Sequence, residues 1–200
     1  METKYLAILT VIILTCNRFR LARKSATFKE KKKGAISNRW TYSLLSILYI
    51  IIILGSIIEN YFLIKTLNLS ISFLGLFGYV VGIMGRNRSI KTLGQYWSTH
   101  IEIRNNQRIV QKGPYRYIRH PGYLSLIIET LSIPGILNAY HALMGVTLIF
   151  IPAVLVRAKL EDMEMGEKVG EEFTMYKERV GAFIPKTLSG FVLPFLSKKR

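Results

Sequence analysis

The feature that most constrains this chain is an apolar run at residues 42–64, which reads YSLLSILYIIIILGSIIENYFLI over 23 residues. As an α-helix rising ~1.5 Å per residue it would be roughly 34 Å long, enough to cross the hydrocarbon core of a bilayer. A soluble domain would interleave apolar and polar residues at helical or strand spacing. The run therefore predicts a membrane-spanning helix.

Four further apolar runs, at residues 1–16, 69–85, 123–137 and 140–156, predict additional spans. Gly78 and Gly82 in the second of these have the small-xxx-small spacing that lets two helices approach closely. Pro152 predicts a kink in the last run. Residues 1–16 carry Lys4 against Glu2 and lack a cleavage site, so we expect an uncleaved span and not a signal peptide.

Charge gives an independent test of these five spans. The net charge is +16, and every Lys and Arg except Lys4 and Lys65 falls in the segments 17–41, 86–122 and 157–200. These three segments share one side in a five-span topology, which the positive-inside rule makes cytoplasmic. We therefore expect an all-α, multi-pass integral membrane protein with its N-terminus outside, in the cell membrane of a prokaryote or the endoplasmic reticulum of a eukaryote. The basic charge then reflects topology and not nucleic-acid binding.

Local signals for catalysis are sparse. The single cysteine, Cys16, excludes an intrachain disulfide framework and a cysteine-built zinc site, and the histidines have no metal-ligand spacing. Glu129 lies inside the fourth span, where an acidic residue either serves function or faces a polar pocket between helices. Arg157 and Glu161 are one helical turn apart, a spacing typical of a surface ion pair as well as of a site.

One motif carries a resemblance to a known family. The run GPYRYIRHPGY at residues 113–123 resembles the G-x-Y-x-x-x-R-H-P-x-Y signature of isoprenylcysteine carboxyl methyltransferases. Arg157 and Glu161-Asp162 then resemble the downstream R-x-x-x-E-E, with Asp162 in place of the second Glu. The segment VGEEFTMY at 169–176 resembles the family's F-G-x-E-Y-x-x-Y, with Val169 in place of Phe and Phe173 in place of Tyr. Val180 and Pro185 match the closing V-x-x-x-x-P, so the resemblance covers residues 93–185.

The resemblance implies a cytoplasmic pocket for S-adenosyl-L-methionine. By matching position, the cofactor would be held by Glu102, Gln107, Arg108, Ile109, Val110, Tyr115, His120, Pro121, Gly122, Tyr123 and Glu161. It assigns Arg157 to the substrate carboxylate and Glu161 to the cationic part of the cofactor, and it implies no metal. It also divides the chain into N-terminal spans with a basic loop (1–92), a catalytic core (93–185) and a basic tail (186–200).

The implied chemistry suits these residue types. Methyl transfer from a sulfonium needs the reactants to be positioned and water excluded. A carboxylate acceptor is already ionised at neutral pH, and an arginine can hold it with two parallel hydrogen bonds. An amine acceptor must instead lose a proton beside Arg157, which disfavours it. We therefore expect a methyltransferase that acts on a lipophilic carboxylate entering from the bilayer.

Several alternatives stay open at the level of the sequence. The acceptor could be an amine, hydroxyl or thiol, as in phospholipid or other lipid N- and O-methyltransferases. A related helical core occurs in sterol reductases, which bind a nicotinamide cofactor. A non-catalytic scaffold could also use basic loops to bind anionic lipid headgroups. The sequence leaves the oligomeric state undetermined.

Overall fold

The computed structural model describes residues 2–26, 35–64, 66–98, 101–103 and 109–186, with the backbone alone for 19–26, 35–37 and 101–103. The long elements are all helical. The helices are α1 (Glu2–Ala26), α2 (Arg39–Phe62), α3 (Leu69–Leu93), α4 (Pro121–Leu137), α5 (Tyr140–Gly145), α6 (Ile151–Val169) and α7 (Glu171–Arg179). Short 3₁₀ turns occupy Gly94–Tyr96 and Gly113–Arg116, and a π-helical segment occupies Val146–Phe150. The predicted helical membrane protein is confirmed at this level.

A small antiparallel ladder, which the all-α prediction did not include, joins two of the loops. Strand β1 (Ala35–Ser37) pairs with β2 (Ile101–Ile103), and Ile36 lies opposite Glu102. Each strand has three residues, so the ladder adds little stability of its own. It does bring the segment before α2 next to the segment between α3 and α4.

Among the described residues, three helices are long and apolar enough to cross a bilayer. They are Arg39–Phe62, Leu69–Tyr96 and the continuous helix Tyr140–Val169, which runs from α5 through the π-helical segment into α6. Pro121–Leu137 is apolar but shorter. Pro152 lies in the first turn of α6, directly after the π-helical segment. Proline has no backbone N–H, so one carbonyl in the preceding turn loses its helical partner. A local π-helical adjustment can re-satisfy such carbonyl groups.

Helices α3 and α4 pack through a seam of glycines. A Cβ at Gly75 would lie 2.6 Å from the backbone nitrogen of Ile136, and one at Gly82 would lie 2.7 Å from Cγ of Glu129. Gly78 faces Ser132 in the same row. The predicted close packing through Gly78 and Gly82 is therefore confirmed, because side chains at these positions would force the two backbones apart.

Polar contacts fix the turns at one end of the bundle. Asn60 donates to the last carbonyl of α4 at 2.6 Å, and the Asn68 N–H donates to Asn138 Oδ1 at 2.6 Å. Asn138 ends α4 in the left-handed conformation, at φ 54°. Glu59 accepts the backbone N–H of His141 at 3.0 Å and so caps α5. These contacts place the starts of α2 and α4, and the end of α3, together at the opposite end.

Candidate active site

A cavity of about 330 Å³ lies at this opposite end, between α1, α2, α3, α4, α6 and α7. Its volume is in the range of small-molecule sites. Eight of the residues predicted from the sequence line it: Ile109, Val110, Tyr115, His120, Gly122, Tyr123, Arg157 and Glu161. Pro121 is buried in the first turn of α4, next to this group. Gln107, Arg108 and the side chain of Glu102 lie outside the described residues.

The hydroxyl of Tyr123 joins the two ionisable residues predicted for the chemistry. It donates to Glu161 Oε2 at 2.6 Å and accepts from Arg157 Nε at 2.9 Å. Tyr123 is in the first turns of α4, whereas Arg157 and Glu161 are on α6. Because Arg157 and Glu161 are one helical turn apart, both can reach the same Tyr123 hydroxyl in the cavity.

Arg157 is buried, with 4% of its surface exposed, and a second hydroxyl holds it. Its Nη1 donates to Thr41 Oγ1 at the start of α2, and that hydroxyl donates to the Asn38 carbonyl at 2.8 Å. The guanidinium is thereby fixed between α2 and α4. Sequence reasoning missed Thr41, because nothing in the local sequence at the start of a span indicates a partner 116 residues away.

His120 and Arg119 of the RHPGY motif share one carboxylate. Asp162 Oδ1 lies 2.9 Å from His120 Nε2, and Oδ2 lies 2.8 Å from Arg119 Nη2. Asp162 was noted in the sequence only as a departure from the family pattern. A bidentate carboxylate between these two side chains fixes the imidazole ring, which is 6% exposed at the cavity wall.

The segment after α7 closes over this motif. The Arg119 N–H donates to the Gly181 carbonyl at 2.8 Å, and the His120 N–H donates to the Ala182 carbonyl at 3.0 Å. The ring of Phe183 lies 5.7 Å from that of His120. The residues around Gly181 thus pack against Arg119 and His120 and hold them in place.

Two further tyrosines support the same wall. Tyr176 Oη donates to the Tyr115 carbonyl at 2.6 Å. Burial raises the pKa of Tyr176 to about 12, and burial together with the nearby Glu161 raises the pKa of Tyr115. Both phenols therefore stay protonated at neutral pH, so Tyr176 can act as a hydrogen-bond donor that holds α7 against the 3₁₀ turn Gly113–Arg116.

Glu129 lies in a polar cluster between helices, one of the two alternatives that the sequence left open. Its side chain is fully buried, and Oε2 lies 3.1 Å from Arg18 Nη1 and 3.5 Å from Arg86 Nη1. The Arg18 guanidinium also lies 3.9 Å above the ring of Tyr49. The sequence placed Arg18 in a loop, but α1 continues through residue 26 and carries it against α2 and α4.

Comparison with known proteins gives a consistent picture. Residues 73–167 match the isoprenylcysteine carboxyl methyltransferase (ICMT) family. The uncharacterized protein YpbQ of Bacillus subtilis (strain 168) is 28% identical over 165 residues, which are 82% of this chain and 96% of YpbQ. A probable protein-S-isoprenylcysteine O-methyltransferase of Oryza sativa subsp. indica is 24% identical over 117 residues, 58% of this chain and 61% of that protein.

Methanethiol S-methyltransferase 1 of Bradyrhizobium diazoefficiens is 36% identical over 72 residues, which are 36% of this chain and 24% of that enzyme. Among solved structures, the eukaryotic intramembrane Ras methyltransferase ICMT matches with a TM-score of 0.60 at 22% identity. The match covers 76% of this chain and 54% of that one, so the chain spans about half the length of this relative. This likeness shows a shared fold.

Proposed function

We propose that this chain is an integral-membrane methyltransferase of the isoprenylcysteine carboxyl methyltransferase type that uses S-adenosyl-L-methionine, because residues 73–167 match that family. Its acceptor is a lipophilic molecule from the bilayer that presents a carboxylate. The observation that carries this proposal is the Tyr123 hydroxyl, which bonds to both Glu161 and Arg157 in a single cavity. The hydroxyl thereby holds the Glu161 carboxylate and the Arg157 guanidinium side by side. A methyl transfer from a cationic donor to an anionic acceptor needs one group of each charge, the carboxylate for the donor and the guanidinium for the acceptor.

The residues of the cavity fit the methyl donor. When bound, S-adenosyl-L-methionine supplies a methyl group already activated on a positively charged sulfur. Glu161 offers a carboxylate that lowers the cost of holding this cation in a mostly apolar cavity. His120, fixed by Asp162, and the segment at Ile109 would contact the rest of the donor. Gln107, Arg108 and Glu102 remain proposed contacts from the resemblance alone.

Arg157 is the proposed anchor for the acceptor. It is a buried guanidinium at the cavity wall, and Tyr123 and Thr41 fix its orientation. A guanidinium binds a carboxylate in a planar, directed geometry that a lysine cannot reproduce. Its role is to align the acceptor oxygen with the methyl group, because an ionised carboxylate needs no base.

The topology is also part of the proposal. We infer five membrane-crossing helices with the cavity on the cytoplasmic side and residues 93–185 as the catalytic core. The contacts between helices support a topology in which successive helices run in opposite directions. Lys4, near the start of α1, donates to the Tyr61 carbonyl near the end of α2, so these two helices are antiparallel. The distribution of basic residues supports the cytoplasmic side.

Thiol methylation is the second candidate. The relatives named methanethiol S-methyltransferase favour it, and a thiol acceptor would also react as an anion. Amine methylation, as on phospholipids, is disfavoured by the buried cation of Arg157. The match to a methyltransferase family favours an enzyme over a scaffold without catalysis.

Calorimetry with S-adenosylhomocysteine tests the donor site on protein purified in detergent. Glu161→Gln should weaken binding about ten-fold or more, since it removes a charge-assisted contact. Glu164→Gln is the matched control, because Glu164 lies on the same helix and pairs with Lys168 at 3.4 Å. Wild-type protein that binds NADPH and not S-adenosylhomocysteine would refute the proposal.

Labelled methyl transfer to a lipid extract, followed by mass analysis of the product, identifies the acceptor. Arg157→Ala should then reduce turnover roughly ten- to 150-fold, and Arg157→Lys should recover only part of this loss. Affinity for S-adenosylhomocysteine should stay close to wild type in both variants. An amine acceptor predicts unchanged or higher activity for Arg157→Ala, and loss of donor binding would place Arg157 in the donor site.

A further inference from the structure

A second positively charged surface lines the same cavity, away from the Tyr123 hydroxyl. Arg18 from α1 and Arg86 from α3 both lie on the cavity wall, next to Tyr49. Their side chains are 13% and 21% exposed, whereas Glu129 behind them is fully buried. We call Arg18 and Arg86 the basic wall.

The charges of the basic wall are not balanced within the described residues. One carboxylate, Glu129, faces two guanidinium groups, and a single oxygen of it contacts both. The contact from Arg86 Nη1 to Glu129 Oε2 is long, at 3.5 Å. Within the described residues, the Arg86 side chain makes no other hydrogen bond. A guanidinium has five N–H donors. Arg86 therefore has donor capacity to spare at the surface of a mostly apolar cavity.

The carboxylate that the basic wall contacts belongs to a residue deeper in the bundle than Tyr123. Glu129 is six residues after Tyr123 on α4, so it is about 9 Å further along the helix axis. Helix α3 runs antiparallel to α4, with Gly82 against Glu129 and Gly85 against Ser125, so the backbone of Arg86 lies between the levels of Tyr123 and Glu129 and its side chain reaches the Glu129 carboxylate. Ionisable groups at such depth face a bundle interior or a cavity and mark functional sites.

We propose that the basic wall binds an anionic group of the acceptor other than the group that is methylated. One further negative charge would balance Arg18 and Arg86 against Glu129. The acceptor would then be an amphiphile that carries this acidic group in addition to the group that is methylated. This inference rests on the proposed function, because it assumes that the cavity receives the acceptor.

The test compares binding of dodecanoate and dodecanol, two probes of equal chain length, to detergent-purified protein by calorimetry. Wild-type protein should prefer dodecanoate. Arg86→Gln should weaken dodecanoate binding about ten-fold and leave dodecanol unchanged, since one charged contact is lost. Arg86→Lys should recover part of the preference. Arg88→Gln is the control, because Arg88 is exposed on the same helix and does not line the cavity.

Three outcomes would overturn the inference. The first is an unchanged preference in Arg86→Gln, which would mean that the cluster only fastens helices together. The second is a preference lost in Arg157→Gln and kept in Arg86→Gln, which would place the anion at the methyl-transfer point. The third is displacement of dodecanoate by phosphatidylglycerol but not phosphatidylcholine in nanodiscs, which would assign the wall to lipid headgroups. Normal S-adenosylhomocysteine binding in Arg86→Gln would leave the proposed function standing in each case.

Discussion

Replacing Tyr123 by Phe removes a single oxygen from the centre of the site. That oxygen donates to Glu161 Oε2 at 2.6 Å and accepts from Arg157 Nε at 2.9 Å. Arg157 and Glu161 are one turn apart on α6, so without the phenol they are free to pair directly with each other. The substitution would therefore turn Glu161, the proposed donor contact, and Arg157, the proposed acceptor contact, toward one another.

The expected loss follows from the two hydrogen bonds. Each one involves a charged partner and is worth ~1.5–3 kcal/mol, which corresponds to roughly ten- to 150-fold in an equilibrium or rate. The two losses are not additive, because the freed groups regain a contact with each other. We expect kcat/KM to fall by about 100-fold and affinity for S-adenosylhomocysteine to fall by about ten-fold.

The assay measures methyl transfer, S-adenosylhomocysteine affinity and thermal unfolding on the same preparation. Tyr117→Phe is the matched control, because Tyr117 belongs to the same motif and is 61% exposed. Wild-type donor affinity and turnover in Tyr123→Phe would show that the hydroxyl does not position Arg157 and Glu161. A lower unfolding temperature with unchanged donor affinity would mean that Tyr123 only packs the bundle.

Three further outcomes are expected. Asp162→Asn removes the charge that orients two side chains of the RHPGY motif, so S-adenosylhomocysteine should bind about ten-fold more weakly in calorimetry. Gly82→Ala should destabilise the protein by ~1–3 kcal/mol in thermal unfolding, because its Cβ would lie 2.7 Å from a neighbouring side chain. Gly55→Ala, with nothing within 4 Å, should be neutral or stabilising by up to ~1 kcal/mol. In a Cys16-free background, Thr66→Cys should be labelled from outside intact cells, and Lys112→Cys only after permeabilisation.

Each of these predictions has a result that would contradict it. Unchanged donor affinity in Asp162→Asn would mean that the motif is held by backbone contacts alone. Equal unfolding temperatures for Gly82→Ala and Gly55→Ala would show that the α3–α4 seam can widen without cost. Labelling of Lys112→Cys from outside would reverse or change the five-span topology.

The sequence by itself determined the helical membrane architecture. A run such as residues 42–64 must become a helix in a bilayer, because every backbone N–H and C=O needs a partner within the segment. That requirement is met within the segment itself, so the length and composition of the run are enough to predict the helix. The RHPGY motif likewise indicated the family, and eight of the residues read from the resemblance line one cavity.

Only the tertiary structure decided which polar groups meet. Tyr123 contacts residues 34 and 38 positions away, and Arg157 contacts Thr41 across 116 positions. Such contacts depend on how each helix is rotated about its axis and how closely its neighbours approach. In this protein the α3–α4 glycine seam sets that approach. Because lipid and protein interior are equally apolar, the side chains of a span do not reveal which face is buried, and the partner of Glu129 could be found only in the packed bundle.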